Sequence, residues 1–207
     1  MSSQMKRGKY RLRARAVTEL KTRSRIVEAA VALHSEVGPA LTTISAIAAR
    51  AGVGRPTVYR HFPDDLSLYT ACSAHGATIH PLPDPEEWLR VDDPAERTQI
   101  GLRKLYSYYR QHERRLTNIW RDAESIPAIR QVNETVLSHR MRRMKDVLQA
   151  AWAADDATTL SAALATVLHF YTWRLLTRDQ RLDDERAVAL GVAIVSCAAA
   201  TQTACAG

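Results

Sequence analysis

The stretch Thr42–Tyr69, TTISAIAARAGVGRPTVYRHFPDDLSLY, decides the fold of this chain. Thr43 is typical of a helix N-cap, and Gly52-Val53-Gly54 ends the helix that follows it after about two turns. A second short helix is predicted over Arg55–His61, because proline is tolerated in a first helical turn. Two short helices joined by a tight glycine turn predict a helix-turn-helix.

The spacing within this stretch has physical reasons. Ala48 is small where the two helices cross, and Gly52 supplies the positive φ that ends the first helix. Ile47, Val53 and Val58 are predicted to point inward against the preceding long helix. The opposite face of the second helix is therefore predicted to lie outside.

The outward face of the second helix carries hydrogen-bonding groups, two positive charges and no acid. Such a helix can lie in the major groove with its N-terminal residues at base edges. We expect Arg55 to pair with a guanine and Thr57 to touch a thymine methyl group or a phosphate. Thr43, Tyr59 and His61 are better placed for phosphates. The full set of predicted DNA contacts is Thr43, Ser45, Arg55, Pro56, Thr57, Tyr59, Arg60 and His61, with Arg13 and Arg15 from the N-terminal arm.

These residues resemble the signature of the TetR family, named after the tetracycline repressor. The resemblance rests on Thr42-Thr43, Ile47-Ala48, Ala51-Gly52-Val53 and Thr57–Phe62. It implies a homodimer that usually represses transcription and releases its operator when it binds a small molecule. It also implies that Thr43, Arg55, Thr57, Tyr59 and His61 face DNA.

The chain departs from the family pattern at two positions. Gly54 stands where many members have a capping serine, which weakens the start of the second helix. Asp65 stands where many members have a phosphate-binding lysine. We expect Asp65 to serve the positive N-terminal end of the next helix, leaving phosphate contact to Arg11, Arg13 and Arg15.

The positive charge is concentrated at the N-terminal end. Residues 1–62 hold twelve Lys and Arg against three Glu, a balance of +9, whereas the remaining residues hold seventeen against nineteen acids, a balance of −2. Residues 1–17 lack a clean period and are interpreted as a basic arm, either a DNA contact or a solvated tail. The asymmetry indicates a polyanion bound at this end.

The remaining sequence predicts an all-α fold with about nine helices. Helical periodicity begins at Thr18 and is stopped by Gly38-Pro39. Further helices are predicted over residues 64–80, 94–111, 112–124, 127–154, 157–177 and 184–201, with a proline-containing loop at 81–93. The predicted domains are the arm 1–17, a three-helix DNA-binding domain at 18–66, and a helical bundle at 67–207 for ligand binding and dimerisation.

Aromatic residues in the bundle are the predicted effector contacts, because bundles place ligand sites between helices. The predicted set is Tyr106, Tyr109, Trp120, His169 and Trp173, although aromatic residues at helical spacing are often simply core. Small residues on helices 157–177 and 184–201 predict a homodimer interface, with Ala162, Thr166, Gly191 and Ala193 among them. The alternative for these is ordinary packing inside one subunit.

The sequence favours a ligand-responsive repressor of a palindromic operator in double-stranded DNA. One alternative is a constitutive or architectural DNA-binding protein without an effector; an enzyme in the C-terminal domain is disfavoured, because no catalytic motif is found. We expect no cofactor and no metal, since His75 and His80 point apart on a helix. Three cysteines without a CxxC pair predict reduced thiols in a cytosol, and the lack of a run of eighteen apolar residues predicts no membrane span. The resemblance to the TetR family implies a bacterial cytoplasmic protein associated with the nucleoid.

Overall fold

A computed structural model describes residues 2–200 of the chain, and it describes side chains from residue 14 to residue 200. The chain divides into two compact units. The first contains the chain up to His80 together with Thr117–Val132, and the second contains Pro81–Leu116 and the chain from Asn133. The predicted boundary between residues 66 and 67 thus differs from this division, and the functional domains stay a prediction.

The first unit is built on one long helix followed by three shorter ones. The helices are α1 (Ser2–Glu36), α2 (Ile44–Ala51), α3 (Arg55–His61) and α4 (Asp65–Ile79), with a 3-10 turn at Pro39–Leu41 between α1 and α2. Most of helix α6 (Glu113–Ala123) and all of α7 (Pro127–Val132) also belong to this unit. Both α2 and α4 pack on α1, and α7 packs on α4.

Helix α1 begins much earlier than the periodicity predicts. The apolar pattern starts after Thr18, yet the helix already runs from Ser2. Val17 and Leu20 are exposed, so this part of α1 buries little and its amphipathic pattern is weak. Arg15 is an exposed residue of this segment, whereas the side chains of Arg11 and Arg13 lie outside the described residues.

The second unit contains the remaining helices. They are α5 (Pro94–Gln111), α8 (Ser138–Gln149), α9 (Ala157–Val167), α10 (Phe170–Arg174) and α11 (Asp184–Ala200). A 3-10 helix at Pro85–Arg90 lies inside the predicted loop 81–93. Two π-helical segments, Asn133–Leu137 and Leu175–Asp179, follow α7 and α10. No strand occurs between residues 2 and 200, so the all-α prediction is confirmed.

The sequence predicts four helix starts correctly, because short polar side chains satisfy the free N–H groups there. Thr43 Oγ1 accepts from Ala46 N at 3.1 Å, and Asp93 Oδ1 accepts from Glu96 N at 2.7 Å. Asp156 accepts from the N–H groups of the first turn of α9, and Asp183 Oδ1 accepts from Arg186 N at 2.8 Å.

The structure has eleven α-helices within residues 2–200, whereas the sequence predicts about nine. The difference results from two interruptions of predicted helices. The predicted helix 127–154 is divided into α7 and α8 by the π-helical segment Asn133–Leu137. The predicted helix 157–177 breaks before His169, whose extended backbone (φ −77°, ψ 137°) starts α10. Neither interruption coincides with a proline or a glycine, so the sequence carries no local sign of them.

Helix α5 is the centre of the second unit, and it packs against α8 and α11. Leu102, Leu105 and Tyr106 are fully buried on its inner face. A Cβ built on Gly191 of α11 would lie 2.8 Å from Leu102 Cδ1. Gly191 therefore serves close packing of α11 on α5 inside the subunit.

None of the helices described between residues 2 and 200 is both long enough and apolar enough to cross a membrane.

Candidate nucleic-acid interface

The core of the first unit fixes how α2 and α3 are presented. Ile26 and Ala30 of α1 are buried with Ile47 of α2 and with Val58 and Phe62 around α3. Val58 is the one buried residue of the short α3, so it holds this helix against the core. Because one face of α3 is held by these contacts, its opposite face is turned to solvent.

The turn between α2 and α3 depends on a glycine. Gly52 has φ 64° and ψ 42°, the left-handed conformation that an L side chain adopts at a cost. The N–H of Val53 donates to Ala48 O at 3.0 Å, and the N–H of Gly52 donates to Ala49 O at 3.2 Å. These bonds close the end of α2 in the manner of a Schellman motif.

The solvent face of α3 holds most of the predicted base and phosphate contacts. Arg55, Pro56, Tyr59 and Arg60 are exposed, with Tyr59 at 48%, and Thr57 is half-buried. The helix contains no acid, so a phosphate backbone meets no repulsion from it. Gly54 provides no side-chain cap at its start, as the sequence predicts.

The start of α2 adds a second polar edge. Thr43 and Ser45 are exposed there, beside the free N–H groups of the first turn. His61 lies at the other end of α3 and is half-buried, and its Nε2 atom is buried without a hydrogen-bond partner. The structure therefore places Thr43 and Ser45 outward, and turns part of the His61 ring inward.

Two arginines of α1 that the sequence does not single out lie beside the helix-turn-helix. The Arg23 guanidinium lies 4.6 Å from the centre of the Phe62 ring, at the end of α3. Arg25 lies beside the turn, with Nη1 3.9 Å from the position of a Cβ on Gly52. Both are exposed. Their charge is visible in the sequence, but their position follows from the packing of α1.

Other charges near the interface are already used. Arg50 of α2 forms a two-pronged ion pair with Glu36, at 2.7 and 2.8 Å. Asp64 caps α4 by accepting from Ser67 N at 2.7 Å, and Asp65 lies in the first turn of the same helix. The predicted service of Asp65 to the N-terminal end of α4 fits this position.

The predicted effector residues are brought together only in part. Tyr106, Tyr109 and Trp173 lie in one buried aromatic cluster with Phe170, where Tyr109 is 5.4 Å from Phe170 and 5.8 Å from Trp173 between ring centres. Tyr106 donates its hydroxyl to Val167 O at 2.9 Å, and Tyr109 donates to Leu168 O at 2.7 Å. Burial raises the pKa of both phenols, so both remain donors. Their polar groups are therefore used inside the protein.

The other two predicted effector residues are not among the fully buried residues of this cluster. Trp120 belongs to the first compact unit, in the segment Thr117–Val132. His169 is exposed at the start of α10, where its Nδ1 accepts from Tyr171 N at 3.3 Å. The effector role of these five residues stays a prediction.

A surface groove of about 460 Å³ is present on the second unit. Its lining is formed by one side of α5 and two prolines: Pro81, Pro83, Arg103, Lys104, Ser107, Tyr108 and Gln111. Arg103 is paired with Glu185 and Lys104 with Glu87, so the positive charge of the groove is largely balanced.

A helix-turn-helix presented on a three-helix core, with an exposed basic recognition helix, defines a DNA-binding transcription regulator. Residues 26–72 match the family model of the bacterial regulatory proteins of the tetR family. The predicted resemblance to that family is confirmed, through sequence in the first unit and through fold over most of the chain.

Several solved structures share the fold of this chain. NalD of Pseudomonas aeruginosa, the secondary repressor of the MexAB-OprM multidrug efflux pump, is 23% identical, with a TM-score of 0.61 over 86% of this chain and 95% of NalD. FadR from Bacillus subtilis, solved with stearoyl-CoA, is 18% identical, with a TM-score of 0.59 over 85% of this chain and 97% of FadR. A tetR-family transcriptional regulator from Streptomyces coelicolor is 19% identical, with a TM-score of 0.62 over 86% of this chain and 82% of that protein. No curated protein matches the sequence of this chain.

Proposed function

We propose that this chain is a repressor that binds a palindromic operator as a homodimer and releases it when a small molecule binds. The observation that carries the proposal is the exposed, acid-free face of α3, held in place by the buried Val58 and Phe62. A recognition helix of this kind enters the major groove with its N-terminal residues at base edges.

The proposed DNA contacts divide by chemistry. Arg55 stands at the first position of α3, where a guanidinium reaches the O6 and N7 atoms of guanine in a bidentate pair. Thr57, one half-turn further, meets a thymine methyl group or a phosphate. Contacts to the phosphates set the register, and we assign them to Thr43, Ser45, Tyr59, Arg60, His61 and Arg15. Pro56 has no hydrogen-bond donor, so we assign it an apolar contact with the DNA. Arg23 and Arg25 extend this phosphate-binding edge.

A homodimer is supported by an apolar face on α9 and α11. On α11, Leu190 is 40% exposed and Ile194 36% exposed, and Ala193 and Cys197 continue the same stripe at helical spacing. Ala162 and Ala165 are exposed on α9, which packs beside α11. Two-fold association of this face would bury the stripe against itself. Two recognition helices would then read two half-sites about one helical turn apart.

Ligand response is supported by relatives more than by the aromatic residues that the sequence suggests. FadR, which shares the fold, was solved with stearoyl-CoA, and NalD is named a repressor. A ligand can release DNA only by favouring a state in which the two DNA-binding units are wrongly placed for the operator. We assign the effector to the second unit.

A constitutive regulator without an effector is the second candidate. The packing of Tyr106, Tyr109, Phe170 and Trp173 favours it, because the two phenol hydroxyls are bonded inside the protein and leave little for a ligand. Titration of the protein–operator complex with stearoyl-CoA and with a panel of small aromatic compounds separates the two candidates. Release of the operator by a compound that binds the protein stoichiometrically supports the repressor with an effector. Retention of the operator in the presence of every compound supports the constitutive regulator.

The DNA-binding proposal is tested by selecting bound sequences from random duplex DNA at near-physiological salt. An enriched palindrome, bound by two subunits, is the expected result. Weak binding without an enriched sequence, falling steeply with salt, is the mark of non-specific phosphate binding and would contradict the proposal.

A further inference from the structure

A buried polar cluster lies on the side of the first unit where α6 ends. Asn118 and Asp122 stand one turn apart on α6, so both side chains leave the same face of the helix. Asn118 is 9% exposed and Asp122 is 3% exposed. Polar groups at this depth require partners inside the protein, since an unmatched one costs free energy.

Both side chains find their partners on the connection between α1 and α2. Asn118 Nδ2 donates to Ser35 O at 3.2 Å, a carbonyl of the last turn of α1 that has no partner within the helix. Asp122 Oδ2 accepts from Ala40 N at 2.9 Å, in the 3-10 turn three residues before the Thr43 cap of α2. The two bonds therefore hold both ends of the connection from residues more than eighty positions away in the sequence.

The connection lies so close to α6 that it leaves no room for a side chain. Gly38 has φ 93°, and a Cβ built there would lie 2.7 Å from Asp122 Oδ2 and 2.5 Å from Arg121 Nη2. Such distances are well inside van der Waals contact, and the φ itself disfavours an L residue. The close approach of Asp122 to the connection therefore requires glycine at residue 38.

The carboxylate is held in its charged form. Desolvation acts to raise the pKa of Asp122, but hydrogen bonds from Arg121 and from Ala40 N–H outweigh it, and the pKa is lowered. Arg121 Nε donates to Asp122 Oδ1 at 2.7 Å, which leaves Oδ2 for the backbone of the connection. An ionised acceptor makes a stronger bond to a backbone N–H than a neutral one does.

We propose that Asn118 and Asp122 are positioning residues for the helix-turn-helix: they fix the α1–α2 connection and so set where α2 begins. The proposal rests on the proposed DNA binding. Thr43 and Ser45 at the start of α2 are assigned to phosphates, so a loosened connection misplaces phosphate contacts and leaves the base contacts of Arg55 intact. Operator affinity therefore falls, while the sequence preference is unchanged.

Three full-length variants test this. Asp122→Leu removes the acceptor while keeping a side chain that branches at Cγ, Asp122→Asn keeps an acceptor without the charge, and Tyr109→Phe destabilises the second unit without touching the connection. The readouts are hydrogen exchange of the Ala40 and α2 first-turn amides, and affinity for the selected operator. For Asp122→Leu we expect roughly tenfold faster exchange at Ala40 and roughly fivefold weaker operator binding, as the loss of one charge-assisted bond implies. Asp122→Asn should recover part of both, and Tyr109→Phe should change neither.

Each outcome decides a separate question. Unchanged protection at Ala40 in Asp122→Leu, or an equal loss of operator affinity in Tyr109→Phe, overturns the positioning role. If the wild type selects no sequence, the proposed function fails, and the exchange measurement still decides whether Asp122 fixes the connection. A changed base preference in Asp122→Leu would also overturn the proposal, because the proposal gives Asn118 and Asp122 an effect on phosphate contacts only.

Discussion

Tyr109 donates its hydroxyl to the carbonyl oxygen of Leu168 at 2.7 Å, at the point where α9 ends. Tyr106, one turn earlier on α5, donates to the preceding carbonyl, that of Val167, at 2.9 Å. The last carbonyls of a helix have no partner within it. The break before His169 is thus tolerated in the interior because two phenols from α5 satisfy the carbonyls that it frees.

The first prediction concerns this pair. Tyr109→Phe removes the hydroxyl at almost unchanged volume and leaves the Leu168 carbonyl buried without its partner. We expect the free energy of unfolding to fall by about 1–3 kcal/mol, measured by chemical denaturation of the second-unit transition.

Tyr59→Phe is the matched control, because the Tyr59 side chain is about half exposed. Its effect on stability should stay within roughly 0.5 kcal/mol. If Tyr109→Phe is equally harmless, the hydroxyl is not needed by the helix end, and an effector contact for Tyr109 regains support.

The hydrogen bonds of Tyr106 and Tyr109 also show what the sequence cannot predict about the aromatic cluster. The sequence leaves Tyr106, Tyr109 and Trp173 as either effector contacts or core residues, and all three are buried. It does not show the break before His169, because neither proline nor glycine marks it. Without that break, the sequence shows no partner for the two hydroxyls inside the protein, so a contact to an effector is the natural prediction.

The helix-turn-helix is predictable for the opposite reason. Its turn, its cap and its crossing are encoded locally, by Gly52, Thr43 and Ala48, within one short stretch of sequence. The attachment of Asn118 and Asp122 to the α1–α2 connection is not local, since more than eighty residues separate the partners. A single sequence carries no signal for such a pairing, although buried polar groups on α6 require one.

The second prediction concerns base recognition. Arg55→Ala should weaken binding to the selected operator by about 1–3 kcal/mol and relax the preference at one position of each half-site. The measurement is titration of the operator and of single-base variants. Arg103→Ala removes an exposed arginine from the second unit and should leave both quantities unchanged. Full discrimination by Arg55→Ala would refute the base contact.

The third prediction concerns the apolar stripe of α11. Ile194→Asp places a charge in the centre of the proposed two-fold interface, where it would be buried against its own symmetry mate. We expect dimers to dissociate to monomers at micromolar concentration, as measured by sedimentation or light scattering. Leu89→Asp is the control, because Leu89 is 44% exposed in the same unit and lies on the 3-10 helix Pro85–Arg90, outside the proposed interface. A dimer that survives Ile194→Asp unchanged would place the interface elsewhere.

The fourth prediction concerns pH and follows from His34, which is 7% exposed and 5.5 Å from the Tyr69 ring between centres. Burial lowers the pKa of His34 from 6.5 to about 4, although Asp122 acts to raise it. Between these two values the unfolded chain binds a proton that the folded chain does not, so stability falls as the pH is lowered from 6.5 towards 4. A loss of about 2 kcal/mol in the free energy of unfolding is expected between about pH 7.5 and about pH 5.

The variant His34→Gln tests this prediction, because glutamine cannot titrate. Its stability should change much less over this pH range, and denaturant midpoints at several pH values provide the comparison. Equal pH dependence in the two proteins would assign the acid sensitivity to other groups.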